Sequence, residues 1–130
     1  MRILLVEDNA ERQLWFLTQF TAADHIDIVW VAPVAVALLQ ARQYDAIYLD
    51  HDLLPHHNGF EDDGSSGYEV AKFLCAHPPS CPIIIHSQNI YGSNRIAELL
   101  RAANINCAQE PFPPSVATPD DHALQQPAQS

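Results

Sequence analysis

The sequence predicts an α/β domain built on a doubly wound parallel sheet. Short, continuous apolar runs alternate along the chain with segments whose apolar residues recur every three or four positions. Continuous runs are typical of strands buried on both faces, and the segments between them suit the helices that connect parallel strands. With 130 residues, 48% of them hydrophobic and 17% charged, the chain has the length and composition of one globular domain.

The elements follow in the order βαβαβαβαβ. The first strand is predicted at residues 2–6, and Pro33 suits the first turn of the second helix. The first helix is expected to bury one face of regularly spaced apolar residues, namely Ala10, Leu14, Leu17 and Phe20. Similar patterns predict strands at 26–31, 46–49, 82–85 and 105–108, and helices at 34–42, 68–76 and 96–103.

The composition changes after Phe112. Residues 113–130 contain Pro113, Pro114, Pro119 and Pro127 and almost no large apolar side chain, which is typical of a disordered segment. We therefore predict a domain at 1–112 and a Pro-rich tail at 113–130. A last helix would be expected to cover the fifth strand, but the pattern at 120–126 is too weak to assign one.

The net charge of −10, from six basic and sixteen acidic residues, argues against a broad grip on a nucleic-acid backbone. A small phosphate ligand stays compatible if a metal or local donors screen the acids. No apolar run reaches the roughly 18 residues of a membrane span, and no signal-peptide pattern opens the chain, so we expect a cytoplasmic protein. The three cysteines lack zinc or disulfide spacing and are expected to be reduced thiols.

Polar residues close the predicted strands. In an open parallel sheet, ligands bind beyond the carboxyl ends of the strands, so these residues are expected to meet at one rim. Carboxylates crowded together raise one another's pKa, whereas a hard divalent ion neutralises them and also holds a phosphate oxygen. The strand-closing residues are Glu7 and Asp8; Asp50, His51 and Asp52; His86 and Ser87; and Gln109 and Glu110.

Two segments resemble bacterial response-regulator receiver domains: residues 4–9 (Leu-Leu-Val-Glu-Asp-Asn) and 44–50 (Tyr-Asp-Ala-Ile-Tyr-Leu-Asp). The resemblance covers about the first 112 residues. It implies a receiver-like, flavodoxin-like five-stranded sheet of order 2-1-3-4-5. It also implies that Asp50 is the phosphoacceptor, that Glu7 and Asp8 bind magnesium, and that Ser87 contacts the phosphoryl group.

The sequence departs from ordinary receivers in two places. Glu110 precedes Pro111 where receivers carry a lysine, which exchanges a cation for an anion and counts against a standard phosphorylation switch. The loop after Asp50 is longer than usual and carries His56, His57 and the acidic residues 61–63.

Three motifs are similar to a receiver-derived family, the cyclic-phosphate-processing receiver domains. They are Asp-His-Asp-Leu at 50–53, Gly-Tyr-Glu-Val at 67–70 and His-Ser-Gln-Asn at 86–89. The resemblance implies a metal-dependent phosphoesterase that acts on a phosphate-bearing small molecule or an RNA end.

In that mechanism Asp8 and Asp50, with Glu7 or Asp52, would hold magnesium or manganese. The imidazole of His51 or His86 would transfer protons, because its ordinary pKa lies near neutrality. Ser87 and Asn89 would position phosphate oxygens.

Other interpretations stay open. The domain could be an atypical or degenerate receiver that signals through a protein partner bound at its fourth helix and fifth strand. A zinc hydrolase ranks last, because no zinc-ligand spacing is present. Asp8 could serve only as a helix cap, and His51 and His86 could be strand-end residues without a catalytic role.

Overall fold

Five parallel strands form one sheet in the order β2-β1-β3-β4-β5 in the computed structural model, which describes residues 1–51 and 66–114. The predicted fold class and strand order are confirmed. Four helices connect the strands. The elements are β1 (Arg2–Val6), α1 (Ala10–Gln19), β2 (His25–Val29), α2 (Ala32–Ala41), β3 (Ala46–Leu49), α3 (Gly67–Ala76), β4 (Ile83–Ile85), α4 (Ile90–Ala102) and β5 (Ala108–Gln109).

The three inner strands are buried on both faces, as their continuous apolar runs predict. Because side chains alternate along a strand, neighbouring residues enter different cores. Leu4, Ile47 and Ile83 belong to a core shared with α2, α3 and α4, whereas Leu5 and Tyr48 pack with Phe16 of α1. The edge strands are less covered, and both residues of β5 are exposed.

Helix α1 buries a different face from the one its leucines predict. Leu14 and Leu17 are 63% and 46% exposed, whereas Phe16 is fully buried and Trp15 and Phe20 are partly buried against the same core. The predicted helix is present, and Phe20 faces the core as predicted, but Ala10, Leu14 and Leu17 are exposed, so this part of the predicted inward face is wrong. The aromatic residues offer more apolar area than the leucines, and their burial determines the rotation of the helix.

Polar side chains begin three of the helices. Asn9 caps α1 by accepting a hydrogen bond from the Arg12 N–H at 3.0 Å, so the capping role considered for Asp8 belongs to the next residue. Ser66 caps α3, and Asn89 caps α4. Asn9 and Asn89 follow the ends of β1 and β4 closely, and the Gly67 N–H donates to His51 O at 2.7 Å, so all three helices begin beside the rim where the candidate site lies.

Several element boundaries differ from the predicted ones. Helix α2 starts at Ala32 with Pro33 in its first turn, and α4 starts at Ile90, six residues before the predicted 96. Strand β5 is Ala108–Gln109 and not 105–108. The cysteines are free and half-buried. Over the described residues, no helix has the length and apolarity to cross a membrane.

Some predictions concern residues outside the described part of the chain. These are Asp52, the histidines and acids at 56–63, and the tail beyond residue 114, with the weak helix pattern at 120–126.

Candidate functional site

The residues that follow three strands continue the hydrogen-bond ladder of the sheet by one step. The Glu7 N–H donates to Val29 O, the Asp50 N–H to Val6 O, and the His86 N–H to Leu49 O, over distances of 2.9 to 3.1 Å. Since β3 lies between β1 and β4, these bonds place Asp50 between Glu7 and His86 at one level of the sheet edge.

The side chains of these three residues share the α1-covered face of the sheet. Glu7 and His86 come two positions after Leu5 and Ile84, and Asp50 comes two positions after Tyr48, all of which face α1. One potential ligand atom from each of Glu7, Asp50 and His86 lies within 4.8 Å of the other two. We call these three residues the acidic cluster.

The Glu7 carboxylate is held on both oxygens. Its Oε1 lies 2.9 Å from His86 Nε2, and its Oε2 accepts a hydrogen bond from the Asn9 N–H at 3.0 Å. The side chain is fully buried, and burial raises its pKa, an effect that the Asn9 hydrogen bond opposes. Glu7 is therefore an oriented carboxylate whose charge is only partly offset by its neighbours.

Asp50 is 2% exposed, and its pKa is raised from 3.8 to about 7. Burial is the largest cause and the charge of Glu7 the next, while His86 and a hydrogen bond from Ser87 act in the opposite direction. The Ser87 oxygen also accepts the Asn89 N–H at 3.1 Å, which orients its hydroxyl. At neutral pH Asp50 is close to half protonated.

His86 is fully buried beside Phe16, with 5.1 Å between the two ring centroids. Burial lowers its pKa to about 4, so the imidazole is neutral at pH 7. Its Nδ1 and the Oδ1 of Asp50 are buried and have no hydrogen-bond partner among the described residues. Unpaired buried polar atoms are unfavourable, so both atoms are suited to binding a ligand.

Arg12 brings a positive charge to this cluster from helix α1. Its Nη1 lies 3.7 Å from Glu7 Oε1 and 3.8 Å from Asp50 Oδ2. This role was not predictable from the sequence, since arginine on a surface helix is usually solvated. The signal that could have revealed it is its place one turn into the helix that directly follows Glu7, on the same side as Trp15 and Phe16.

His51 lies on the other face of the sheet, as alternation from Asp50 requires. A Cβ added to Gly92 would lie 2.6 Å from ring atoms of His51, which shows how closely the ring packs on the start of α4. Its Nδ1 lies 3.4 Å from Asn89 Nδ2. The two imidazoles expected at one rim therefore lie on opposite faces of the sheet, and Asn89 and Ser87 connect His51 to the acidic cluster.

The remaining predicted residues take separate positions. Asp8 is half-buried next to Glu7, and its charge raises the pKa of Glu7. The Gln109 amide donates to Ser93 and Asn94 on α4, and so points away from the cluster. The Glu110 N–H donates to Ile85 O at 2.9 Å, which extends the ladder at the position where a receiver has its lysine.

The sequence profile of a known family matches residues 2–102 of the chain. That family is described as the cyclic-phosphate processing receiver domain. The chain belongs to this family. The resemblance drawn from the three sequence motifs is thus confirmed. A comparison with curated proteins finds no match.

Solved receiver domains share the fold of this family member. One is the receiver domain of the sensor histidine kinase PA1611 from Pseudomonas aeruginosa, whose structure has a magnesium ion coordinated in the active-site cleft. Its sequence is 24% identical to this chain and the TM-score is 0.64, over 98% of this chain and 93% of that one. A CheY-like receiver from Methylobacillus flagellatus is 21% identical with a TM-score of 0.62, over 96% of each chain. The response regulator TrrA from Thermotoga maritima, in complex with Mg²⁺-BeF, is 19% identical with a TM-score of 0.60, over 98% of this chain and 96% of that one.

Proposed function

We propose that the acidic cluster binds a divalent cation and processes a cyclic phosphate. The observation that carries this proposal is the burial of two carboxylates and an imidazole within 4.8 Å, with Asp50 Oδ1 and His86 Nδ1 unpaired among the described residues. Such an arrangement is costly for the protein alone, and a cation relieves it. The family description and the magnesium-bound receivers point in the same direction.

The donor set fits a hard divalent ion. Glu7 and Asp50 offer the oxygen ligands that magnesium prefers, and Asp8 provides a third acid next to them. Manganese, which also accepts imidazole, is the second choice because of His86. When bound, the ion would supply positive charge that polarises the phosphate and lowers the pKa of a coordinated water molecule.

The proposed reaction is the hydrolytic opening of a cyclic phosphate. A water oxygen bonds to phosphorus, one ring P–O bond breaks, and the leaving oxygen takes up a proton, which gives a phosphate monoester. His86 stands in the cluster and has an Nδ1 without a partner among the described residues, so it is assigned the role of proton acceptor. The Ser87 hydroxyl, which contacts Asp50, would position a phosphate oxygen.

His51 is proposed to act on the same site from a distance. Its ring packs on Gly92 and meets Asn89, whose backbone N–H orients the Ser87 hydroxyl. His51 and Asn89 would therefore hold the segment after β4 in place, and with it the Ser87 hydroxyl. This assigns His51 a positioning role and leaves proton transfer to His86.

Phosphorus NMR of a panel of cyclic phosphates tests this function. The panel contains nucleoside 2′,3′-cyclic phosphates, nucleoside 3′,5′-cyclic phosphates and an RNA oligonucleotide that ends in a cyclic phosphate, each with magnesium, manganese or a chelator. We expect wild-type protein to form the monoester of at least one substrate when metal is present. Asp50→Asn and His86→Ala should lower the rate by about 100-fold or more, since each removes a group at the reacting phosphate.

Two matched variants serve as controls. Glu98→Gln removes an exposed acid on α4, and His25→Ala removes an exposed imidazole at the start of β2. Both should keep wild-type turnover. Absence of turnover on every substrate, together with labelling of Asp50 by acetyl phosphate, would contradict the esterase function.

The second candidate is an atypical receiver that signals through a protein partner, with Asp50 as its phosphoacceptor. The observation in its favour is the position of Asp50 at the end of β3 in a fold shared with response-regulator receivers. Glu110 weighs against it, because an anion stands where receivers have the lysine that pairs with the phosphoryl group. Labelling at Asp50 without hydrolysis would favour this second candidate.

A further inference from the structure

The cation nearest to the acidic cluster comes from α1 and not from the last strand. Arg12 Nη1 lies 3.7 Å from Glu7 and 3.8 Å from Asp50, and its side chain is 24% exposed. Glu110, at the end of β5, contributes an acid where receivers have a lysine. The guanidinium therefore stands in the region where a phosphate bound at the cluster would need a positive partner.

The distances from Arg12 to the two acids are too long for hydrogen bonds between the guanidinium and either carboxylate. At 3.7 and 3.8 Å the charges attract each other, but the atoms lie beyond hydrogen-bond distance. Arg12 thus faces the cluster with N–H donors that neither carboxylate occupies.

Packing holds the guanidinium in this position. Its central carbon lies 5.7 Å from the centroid of the Phe112 ring, a cation–π distance. Phe112 in turn packs on Trp15 and Phe16, with centroid separations of 5.1 and 6.1 Å. An arginine fixed by an aromatic ring loses little side-chain entropy when it binds an anion, which favours a binding role.

We propose that Arg12 binds a non-bridging oxygen of the substrate phosphate and so takes the place of the cation that β5 lacks. This inference rests on the proposed function, because it assigns a residue to the same site. The planar guanidinium matches the geometry of a phosphate and can donate two parallel hydrogen bonds to it. The exposed quarter of the side chain leaves the ligand a path from solvent.

Calorimetric titration of inorganic phosphate into the magnesium-loaded protein tests the role of Arg12. We expect Arg12→Gln to weaken phosphate binding about tenfold or more, because it removes a charge-assisted hydrogen bond. Arg12→Lys should recover part of this affinity, because lysine keeps the charge but not the planar pair of donors. Magnesium affinity should stay equal or rise in Arg12→Gln, since a competing cation has gone. Arg2→Gln, an exposed arginine at the opposite end of β1, is the charge-matched control.

The outcomes separate this inference from the proposed function. Phosphate binding that depends on Arg12 without turnover of any cyclic phosphate would support the role of Arg12 and contradict the esterase. Turnover with a tenfold higher KM and little change in kcat in Arg12→Gln would support both. Equal phosphate affinity of wild type and Arg12→Gln would overturn the role of Arg12. The same conclusion would follow if the wild type bound no phosphate, or if Arg12→Gln and Arg2→Gln lost the same amount of phosphate affinity.

Discussion

Asp50 shows how far the sequence predicts a single residue. An acid that closes a fully apolar strand has few packing explanations, and this was enough to identify it as the centre of the site. Its protonation state was not predictable, because the pKa of about 7 depends on burial and on Glu7, which lies on another strand. The position of Arg12 was not predictable for a related reason, since it depends on the rotation of α1. The separation of the two histidines, in contrast, follows from strand alternation, which places residues 50 and 51 on opposite faces.

The raised pKa of Asp50 predicts a pH-dependent stability in the presence of a chelator. Below about pH 4 the carboxyl is protonated in both folded and unfolded chains, and its contribution to stability is fully present. As the pH rises toward 7, the unfolded chain releases a proton that the folded chain keeps, so this contribution is lost. We therefore expect the free energy of unfolding of Asp50→Asn, relative to that of wild type, to rise by about 3 kcal/mol between pH 4 and pH 7. Urea unfolding measures this difference.

His86 has the opposite effect on the pH dependence of stability. Its pKa is lowered to about 4, so its contribution to the free energy of unfolding is lost as the pH falls. It is present in both proteins, so their difference reports mainly on Asp50. Glu98→Gln, which changes an exposed acid, should follow wild type at every pH. A difference between Asp50→Asn and wild type that stays constant with pH would show that Asp50 titrates normally.

At the scale of elements, two glycines let helices approach the strand end closely. A Cβ on Gly92 would overlap the His51 ring, and a Cβ on Gly67 would overlap the backbone oxygen of Asp50. The steric role of these glycines was not predicted from the sequence. It depends on the distance between α3, α4 and the residues after β3, which periodicity does not report.

The two contacts predict different responses to alanine. Gly92→Ala should destabilise the fold by about 1–3 kcal/mol in spite of the better helix propensity of alanine. His51→Ala should rescue it in the double variant, because the overlap there is with a side chain. Gly67→Ala should not be rescued by His51→Ala, since its overlap involves backbone. Equal rescue of both variants in thermal unfolding would contradict these contacts.

The cap of α1 predicts a smaller effect. Asn9→Ala removes the acceptor of the Arg12 N–H and should cost about 1 kcal/mol, whereas Asn9→Ser keeps an acceptor and should cost much less. Because this helix also carries Arg12, we expect Asn9→Ala to weaken phosphate binding as well. Thermal unfolding measures the first effect, and phosphate titration the second. Equal stability of the two variants would contradict the capping role.

At the scale of the whole molecule, the strand order came from the resemblance to receiver domains, whereas the residue pattern predicted the parallel sheet and the rim where the candidate site lies. Continuous apolar runs carry that information, because a strand covered on both faces has little alternative. The ends of the helices and strands were predicted less well. Strand β5 begins three residues later than expected, and helix α4 begins six residues earlier. These ends are defined by caps and long-range hydrogen bonds, such as the one from Glu110 to Ile85, more than by hydrophobic periodicity.

We propose that the acidic cluster is a divalent-cation site, and calorimetric titration of magnesium is the decisive test. At pH 8, where Asp50 is largely ionised, we expect one ion to bind per chain. Binding should weaken about tenfold at pH 6, as Asp50 takes up its proton, and should be lost in Asp50→Asn but not in Glu98→Gln. Absence of binding at pH 8, or equal binding by wild type and Asp50→Asn, would contradict the claim.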